Sequence, residues 1–375
     1  MTTYATKTRI LGYLLFAVGL LPFYLLPVWA GVLYEFYAFE PWQVGMLLAA
    51  DTGGGTIASL AARFWITRAN WRRAVLSSLS CAVLVNSLSI FSDSFTALFL
   101  LRILAGIAAG CFMAVVYAMF SSSENPDREF SIALALQVLL GAAAIYSMPI
   151  FLKHFGPGSL FAVVAMVTVA PMLVAANCPP GGDSDTEKSP SLKNISHHVW
   201  AGLAAIALVF LSLSCIWVAM ERLGYAAGFD GSVVTTVLAA SMLFSFLGAA
   251  APAITTNLTT RKVQLSVSYV SLAIAIFTVG SNSTVLLFAL GLCLYNFFYS
   301  FIIPFQTAWL AQSDLSGATA VLVPVAQGLG VTVGPIVGGY LVGDGNFAGV
   351  IVASSAFLAL SYICAKCAGD PIRSV

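Results

Sequence analysis

This sequence is expected to form an all-α integral membrane protein, with twelve transmembrane helices in two pseudo-symmetric six-helix bundles. Three observations carry that reading. Hydrophobic residues make up 60% of the 375 and charged residues only 8%, with a mean hydropathy of +0.95. Soluble domains carry about a quarter charged residues, so this chain cannot cover its surface with polar groups, and its solvent is largely the lipid bilayer. Apolar stretches of about 20 residues, enough to cross a bilayer core about 30 Å thick, recur along it. The chain also echoes itself at one interval. Phe39-Glu40 and Phe229-Asp230 stand 190 residues apart, as do Gln137 and Gln327, with Arg261-Lys262 one residue out of step with Arg72-Arg73. A common offset implies two copies of one unit.

Charges, Gly/Pro clusters and Asn/Asp/Ser runs bound the spans. In the first copy they are expected near 10–34, 42–65, 73–91, 95–120, 131–152 and 158–176. In the second they fall near 199–221, 232–255, 263–281, 284–310, 318–342 and 347–365. The first starts after Thr8-Arg9 without the small-residue cleavage site of a signal peptide, so it is expected to be retained. Between the copies lies NCPPGGDSDTEKSPSLKNISHH, a Pro/Gly/Ser-rich stretch with a linker's composition. The expected domains are therefore 1–176, a linker at 177–198 that packs poorly, and 199–375.

Orientation follows from Lys and Arg. With a cytoplasmic N-terminus, Lys7, Arg9, Arg63, Arg68, Arg72, Arg73, Arg128, Lys188, Lys193, Arg261, Lys262, Lys366 and Arg373 all lie inside. Only Lys153 and Arg222 then lie outside, and Arg102 within a span. The positive-inside rule places both termini and the linker in the cytoplasm, and a bacterial inner membrane is the expected location.

Charges within spans cost about 2.5–3.5 kcal/mol each on insertion scales and so need a reason. Asp51 sits in LLAADTGGG, sharing a helical face with Gly55 and Ser59. It is a candidate proton carrier; the alternative is an Asp hydrogen-bonded between helices for packing. Arg102 opens LLRILAGIAAG, with Gly106 and Gly110 continuing its face at a spacing that lets helix backbones close together. It is read as a coupling residue, against an arginine snorkelling to the interface. Glu221-Arg222 ends the seventh span with Trp217 one turn away on the same face, and Glu35 ends the first; these are candidate gate or substrate contacts. Gln137, Gln327, Asn296, Gln306, Tyr24, Tyr117, Tyr146 and Tyr299 complete a candidate substrate cavity, since a buried amide must find partners in neighbouring helices or in a substrate. Gly330, Gly334 and Gly338 stand four apart around Pro335, a smooth face suited to close packing or to a hinge.

These residues resemble the major facilitator superfamily over essentially the whole chain. Arg102-Ile-Leu-Ala-Gly106-Ile-Ala-Ala-Gly110 is similar to a fourth-helix motif whose arginine is implicated in proton transfer in the family's antiporters. Gly330-Val-Thr-Val-Gly334-Pro335-Ile-Val-Gly338-Gly339 resembles the exporters' glycine-proline motif, but lies in the eleventh span rather than the fifth, where Gly141 lacks the Gly-Pro pair. The loop after the second span also departs from the family pattern, with Ala62 where an acid is usual.

The resemblance implies a secondary transporter working by alternating access. The expected function is proton-coupled export of a small organic molecule, metabolite or drug, by a monomer; proton-driven import uses the same parts, and a non-transporting sensor is a third reading. No P-loop, HExxH or GxSxG is present, the three histidines (154, 197, 198) are expected in loops, and no enzyme activity or cofactor is expected. Cys364 and Cys367 form a CxxC without a second pair, so no metal is expected. No basic arm suggests nucleic acid.

Overall fold

The computed structural model describes residues 4–181, 196–255, 259–281, 284–313, 318–343 and 347–368. Its first helices are α1 (Thr6–Gly19), α2 (Leu21–Tyr24), α3 (Leu26–Glu35), α4 (Pro41–Ala61) and α5 (Trp71–Ser89). There follow α6 (Phe95–Ser121), α7 (Pro126–Phe155), α8 (Ser159–Val174), α9 (His197–Ala226) and α10 (Gly231–Ala250). The last are α11 (Pro252–Thr255), α12 (Arg261–Gly280), α13 (Val285–Ser313), α14 (Ala318–Gly343) and α15 (Phe347–Cys367). Among the described residues, eleven segments are long and apolar enough to cross a membrane. The chain is an integral, multi-pass membrane protein.

The chain divides into two compact units, one comprising Met1–Phe39 with Met46–Glu187, the other Glu40–Gly45 with Lys188–Val375. Helix starts keep the 190-residue interval: Pro41 and Gly231, Trp71 and Arg261, Phe95 and Val285. So do the pairings. In the first unit α1 packs on α7 and α8, and α5 on α6 and α8; in the second α9 packs on α14 and α15, and α12 on α13 and α15.

Three expectations about helix bounds need correction. The single first span becomes α1, α2 and α3, because Pro22 and Pro27 stand in the first turns of α2 and α3 and withhold the N–H that would carry the helix through. The fifth begins at Pro126, not near 131, so Arg128 and Glu129 are helical, with Asn125 capping the Arg128 N–H. His154 lies in the last turn of α7, and His197 and His198 open α9, so the histidines are at helix ends rather than in loops.

The start of the expected linker is packed. Thr8 Oγ1 donates to the Asn177 carbonyl at 2.9 Å, Cys178 is buried, and the Trp71 N–H donates to the Pro180 carbonyl at 2.7 Å. Gly181 takes φ +63° beside the Trp71 ring, at a point where a Cβ would overlap the indole. Composition could not reveal this, because the anchoring groups come from α1 and α5. Residues 182–195 of the linker lie outside the described residues.

α5 is long enough to span but is not among the eleven apolar segments. Arg72, Arg73, five serines and Asn86 lower its hydropathy. Ser78, Asn86 and Ser89 are nevertheless buried, in a helix packed on α6 and α8. Ser78 donates to the Ala74 carbonyl of its own helix, whereas Asn86 and Ser89 also meet a polar neighbour.

Candidate functional site

What α5 holds is Arg102. Its side chain is 2% exposed, on a helix whose other buried residues are apolar or small. Nη1 lies 3.4 Å from Asp51 Oδ2 on α4 and donates to Asn86 Oδ1 at 3.0 Å. Nη2 donates to Ser89 Oγ at 2.8 Å. The guanidinium carbon stands 4.9 Å from the centre of the Phe161 ring and 5.5 Å from that of Trp29, and those two rings meet edge to face. Aromatic faces attract a cation most when it is desolvated. A cavity of about 10 Å³, room for at most a water, lies beside Arg102 between Trp29, Leu33, Leu47, Leu98 and Phe161.

The sequence singled out Asp51 and Arg102; the fold brings them together across 51 residues of chain. Arg102 does not snorkel. Asn86, Ser89, Trp29 and Phe161 were not foreseen. The serine-rich composition of α5 was the available signal, and it reads equally well as a weakly apolar span.

Glycines make the approach of α4 and α6 possible. A Cβ on Gly106 would overlap the Asp51 carbonyl oxygen, and one on Gly110 the Gly55 carbonyl oxygen, whereas a Cβ on Gly55 would meet nothing closer than 3.4 Å. Gly330, Gly334 and Gly338 likewise lie against α9, facing Ala207, Leu211 and Cys215, with Ser214 Oγ donating to the Gly330 carbonyl at 3.0 Å. That face, with Pro335 inside the same helix, is filled by packing within the second unit.

In the second unit Asn296 is fully engaged: Nδ2 donates to Ser241 Oγ at 3.0 Å and to the Leu292 carbonyl, and Oδ1 accepts from Ser245 at 3.2 Å. Trp217 and Tyr295 are buried and stacked with a 1° interplanar angle at 5.9 Å, and Tyr299 continues the stack, half-buried. Gln306 Nε2 donates to Tyr269 at 3.0 Å while its buried Oε1 has no partner. Glu221 is buried and accepts from Tyr225 at 3.1 Å, with Arg222 half-buried beside it. Gln327 is half-buried.

In the first unit Gln137 and Tyr24 are buried, with Gln137 Oε1 unpartnered, while Tyr117, Tyr146 and Glu35 present exposed surface. A second buried acid, Glu129, accepts from Arg9 through Nε at 2.8 Å and through Nη2, and from Tyr13 at 2.5 Å. Sequence reasoning missed it, because starting the span near residue 131 left Glu129 in a loop beside Arg128. Among the described residues no group of three His, Cys, Asp or Glu could hold a metal.

Two compact helical units, with a charge pair sealed in one of them, define a polytopic helical membrane protein. The crystal structure of a point mutant of the nucleoside transporter NupG matches 96% of this chain and 98% of its own, with a TM-score of 0.75 at 13% sequence identity. At that identity the likeness is one of fold. No family model and no curated protein matches the sequence.

Proposed function

We propose that this chain is a secondary transporter of the major facilitator type, in which two six-helix bundles, 1–176 and 199–375, alternate access to a solute site. Residues 177–198 join them on the cytoplasmic side. The observation that carries this reading is the fold match with a nucleoside transporter over nearly the whole of both chains. The solute is a small polar organic molecule of nucleoside size, and the coupling ion is the proton. Asp51 is the proton carrier and Arg102 its counter-charge, because a buried pair is retained at a stability cost that function must offset.

Uptake is favoured over export. The glycine-proline stripe of α14, which suggested export, is occupied in packing against α9. The buried, stacked Trp217 and the fully engaged Asn296 are wall residues, so Gln137, Gln306, Gln327, Tyr117 and Tyr146 are the better cavity candidates. The test is flux of a nucleoside-containing solute panel in proteoliposomes of known orientation under an imposed pH gradient. Accumulation driven by protons moving in the same direction supports the proposal. Flux only against the proton gradient would reverse the direction, and no gradient-driven flux for any solute would remove the transport reading.

A further inference from the structure

We infer that Asn86 and Ser89 are positioning residues: they seat the Arg102 guanidinium from the side of α5 and leave Asp51 as the member of the pair that exchanges its proton. This rests on the proposal that Asp51 is the coupling carboxyl. Two independent observations carry it.

The first is the geometry around Arg102. The neutral acceptors Asn86 Oδ1 and Ser89 Oγ lie at 3.0 and 2.8 Å, closer than the Asp51 oxygen at 3.4 Å. The Phe161 and Trp29 rings hold the cation from other sides. A guanidinium has only donors, and buried without acceptors it is costly. Its Nε–H has no partner, but the two terminal nitrogens keep two acceptors and two ring faces when Asp51 becomes neutral, so protonation does not orphan them. The helices that supply this shell carry few other charges, and on α1 and α7, which also pack on α6, Arg9 and Glu129 are paired with each other. α4, α6 and α8 carry no charged residue besides Asp51 and Arg102. On α5 the charges are Arg72 and Arg73, more than three turns from Asn86, and on α3 the single charge is Glu35, exposed at its end.

The second is the other copy of the repeat, an internal control. One interval on, Asp51, Asn86, Ser89 and Arg102 correspond to Ser241, Ile276, Val279 and Leu292, all fully buried. α12 packs on α13 and α15 as α5 packs on α6 and α8, so the same helix arrangement closes over three apolar side chains and a serine that Asn296 hydrogen-bonds. The fold does not require the charged cluster. Replacing a buried ion pair by apolar groups of similar volume is often neutral or stabilising, so the first unit keeps the cluster for another reason.

The experiment uses the purified full chain in detergent, reading thermal unfolding against pH, with flux measured separately. In the parent we expect a pH-dependent step in stability that Asp51→Asn removes, since a titrating buried group makes stability depend on pH. In Asn86→Leu/Ser89→Ala the guanidinium turns wholly to the carboxylate, and the step moves to lower pH by about one unit. Ser89→Ala alone moves it the same way by less, and Ser89→Thr, which keeps the hydroxyl, leaves it in place. The replica of the second copy, Asp51→Ser/Asn86→Ile/Ser89→Val/Arg102→Leu, unfolds at or above the parent's temperature near neutral pH and loses gradient-driven flux. An unmoved step in both Ser89→Ala and the double variant overturns the inference, as does a parent without such a step or a replica that cannot fold. A parent with the step but no gradient-driven flux leaves the seating intact and rejects the transport reading instead.

Discussion

Gly106 and Asn296 occupy the same place in two helix crossings 190 residues apart. In the first, Gly106 brings α6 against the Asp51 carbonyl and the Gly55 N–H, leaving no room for a Cβ. In the second, Asn296 reaches from α13 to hydrogen-bond Ser241 and Ser245, which correspond to Asp51 and Gly55. One crossing is drawn tight by a missing side chain and the other is tied by a polar one. The tight crossing carries the charge pair.

Gly106→Ala should therefore destabilise the first unit by about 1–3 kcal/mol through overpacking against the α4 backbone. Gly55→Ala on the facing helix has ordinary contacts only and should stay within about 0.5 kcal/mol of the parent. Thermal unfolding of the two purified variants distinguishes them. Equal losses would contradict the asymmetry of the contact.

Asp51→Asn removes titration while keeping shape and hydrogen bonding. Because Arg102 retains Asn86 and Ser89, the protein should express normally and still exchange solute, but lose pH-driven accumulation in vesicles. Arg102→Ala differs in kind: it strands a buried carboxyl and should cost about 3–5 kcal/mol if the acid stays ionised. Wild-type dependence on the pH gradient in a folded Asp51→Asn protein would transfer coupling to another acid.

Glu129 should behave as an anchor between α1 and α7. With Arg9 and Tyr13 donating to it, Glu129→Ala should lower stability by about 1.5–3 kcal/mol, and Tyr13→Phe by about half as much. A double-mutant cycle over Arg9 and Glu129 isolates the pair. A coupling energy near zero would show the ion pair to be incidental.

The clamp on Trp71 can be read through Cys178. Burial pushes its thiol up to about 12, so maleimide labelling of a protein retaining only this cysteine should be slow at pH 8. Gly181→Ala forces a Cβ into the indole at a positive φ, which should detach 178–181 and speed labelling at least tenfold, about 1.4 kcal/mol in the opening equilibrium. Unchanged labelling would mean that the contacts of Asn177 and Pro180 suffice without Gly181.

Much of this architecture was legible because membrane helices announce themselves locally. A span is a run of apolar residues, its ends are marked by Gly, Pro and charge, and a repeat survives as a constant interval between such marks. The errors arose where a local signal has two meanings. Pro22 and Pro27 segment a helix that composition reads as continuous, and Glu129 beside Arg128 reads as a loop although it is buried. In α5 the residues that lower its hydropathy include the ones that hold Arg102, a signal the expected span at 73–91 did not use.

Residue order alone was enough to place the chain in a membrane, to mark where most of its spans fall and the 190-residue interval at which helix starts recur, and to show which charges the bilayer would not tolerate unaided. Hydrophobicity and chain period are properties of neighbouring residues, so a linear string contains them. Helix packing was needed to learn that Arg102 faces Asp51, that Asn86 and Ser89 complete its shell, and that Arg9 reaches Glu129. These partners come from helices whose contacting residues are 13 to 120 positions apart. Which of them meet is fixed by how the helices pack, and glycines such as Gly106 set how closely.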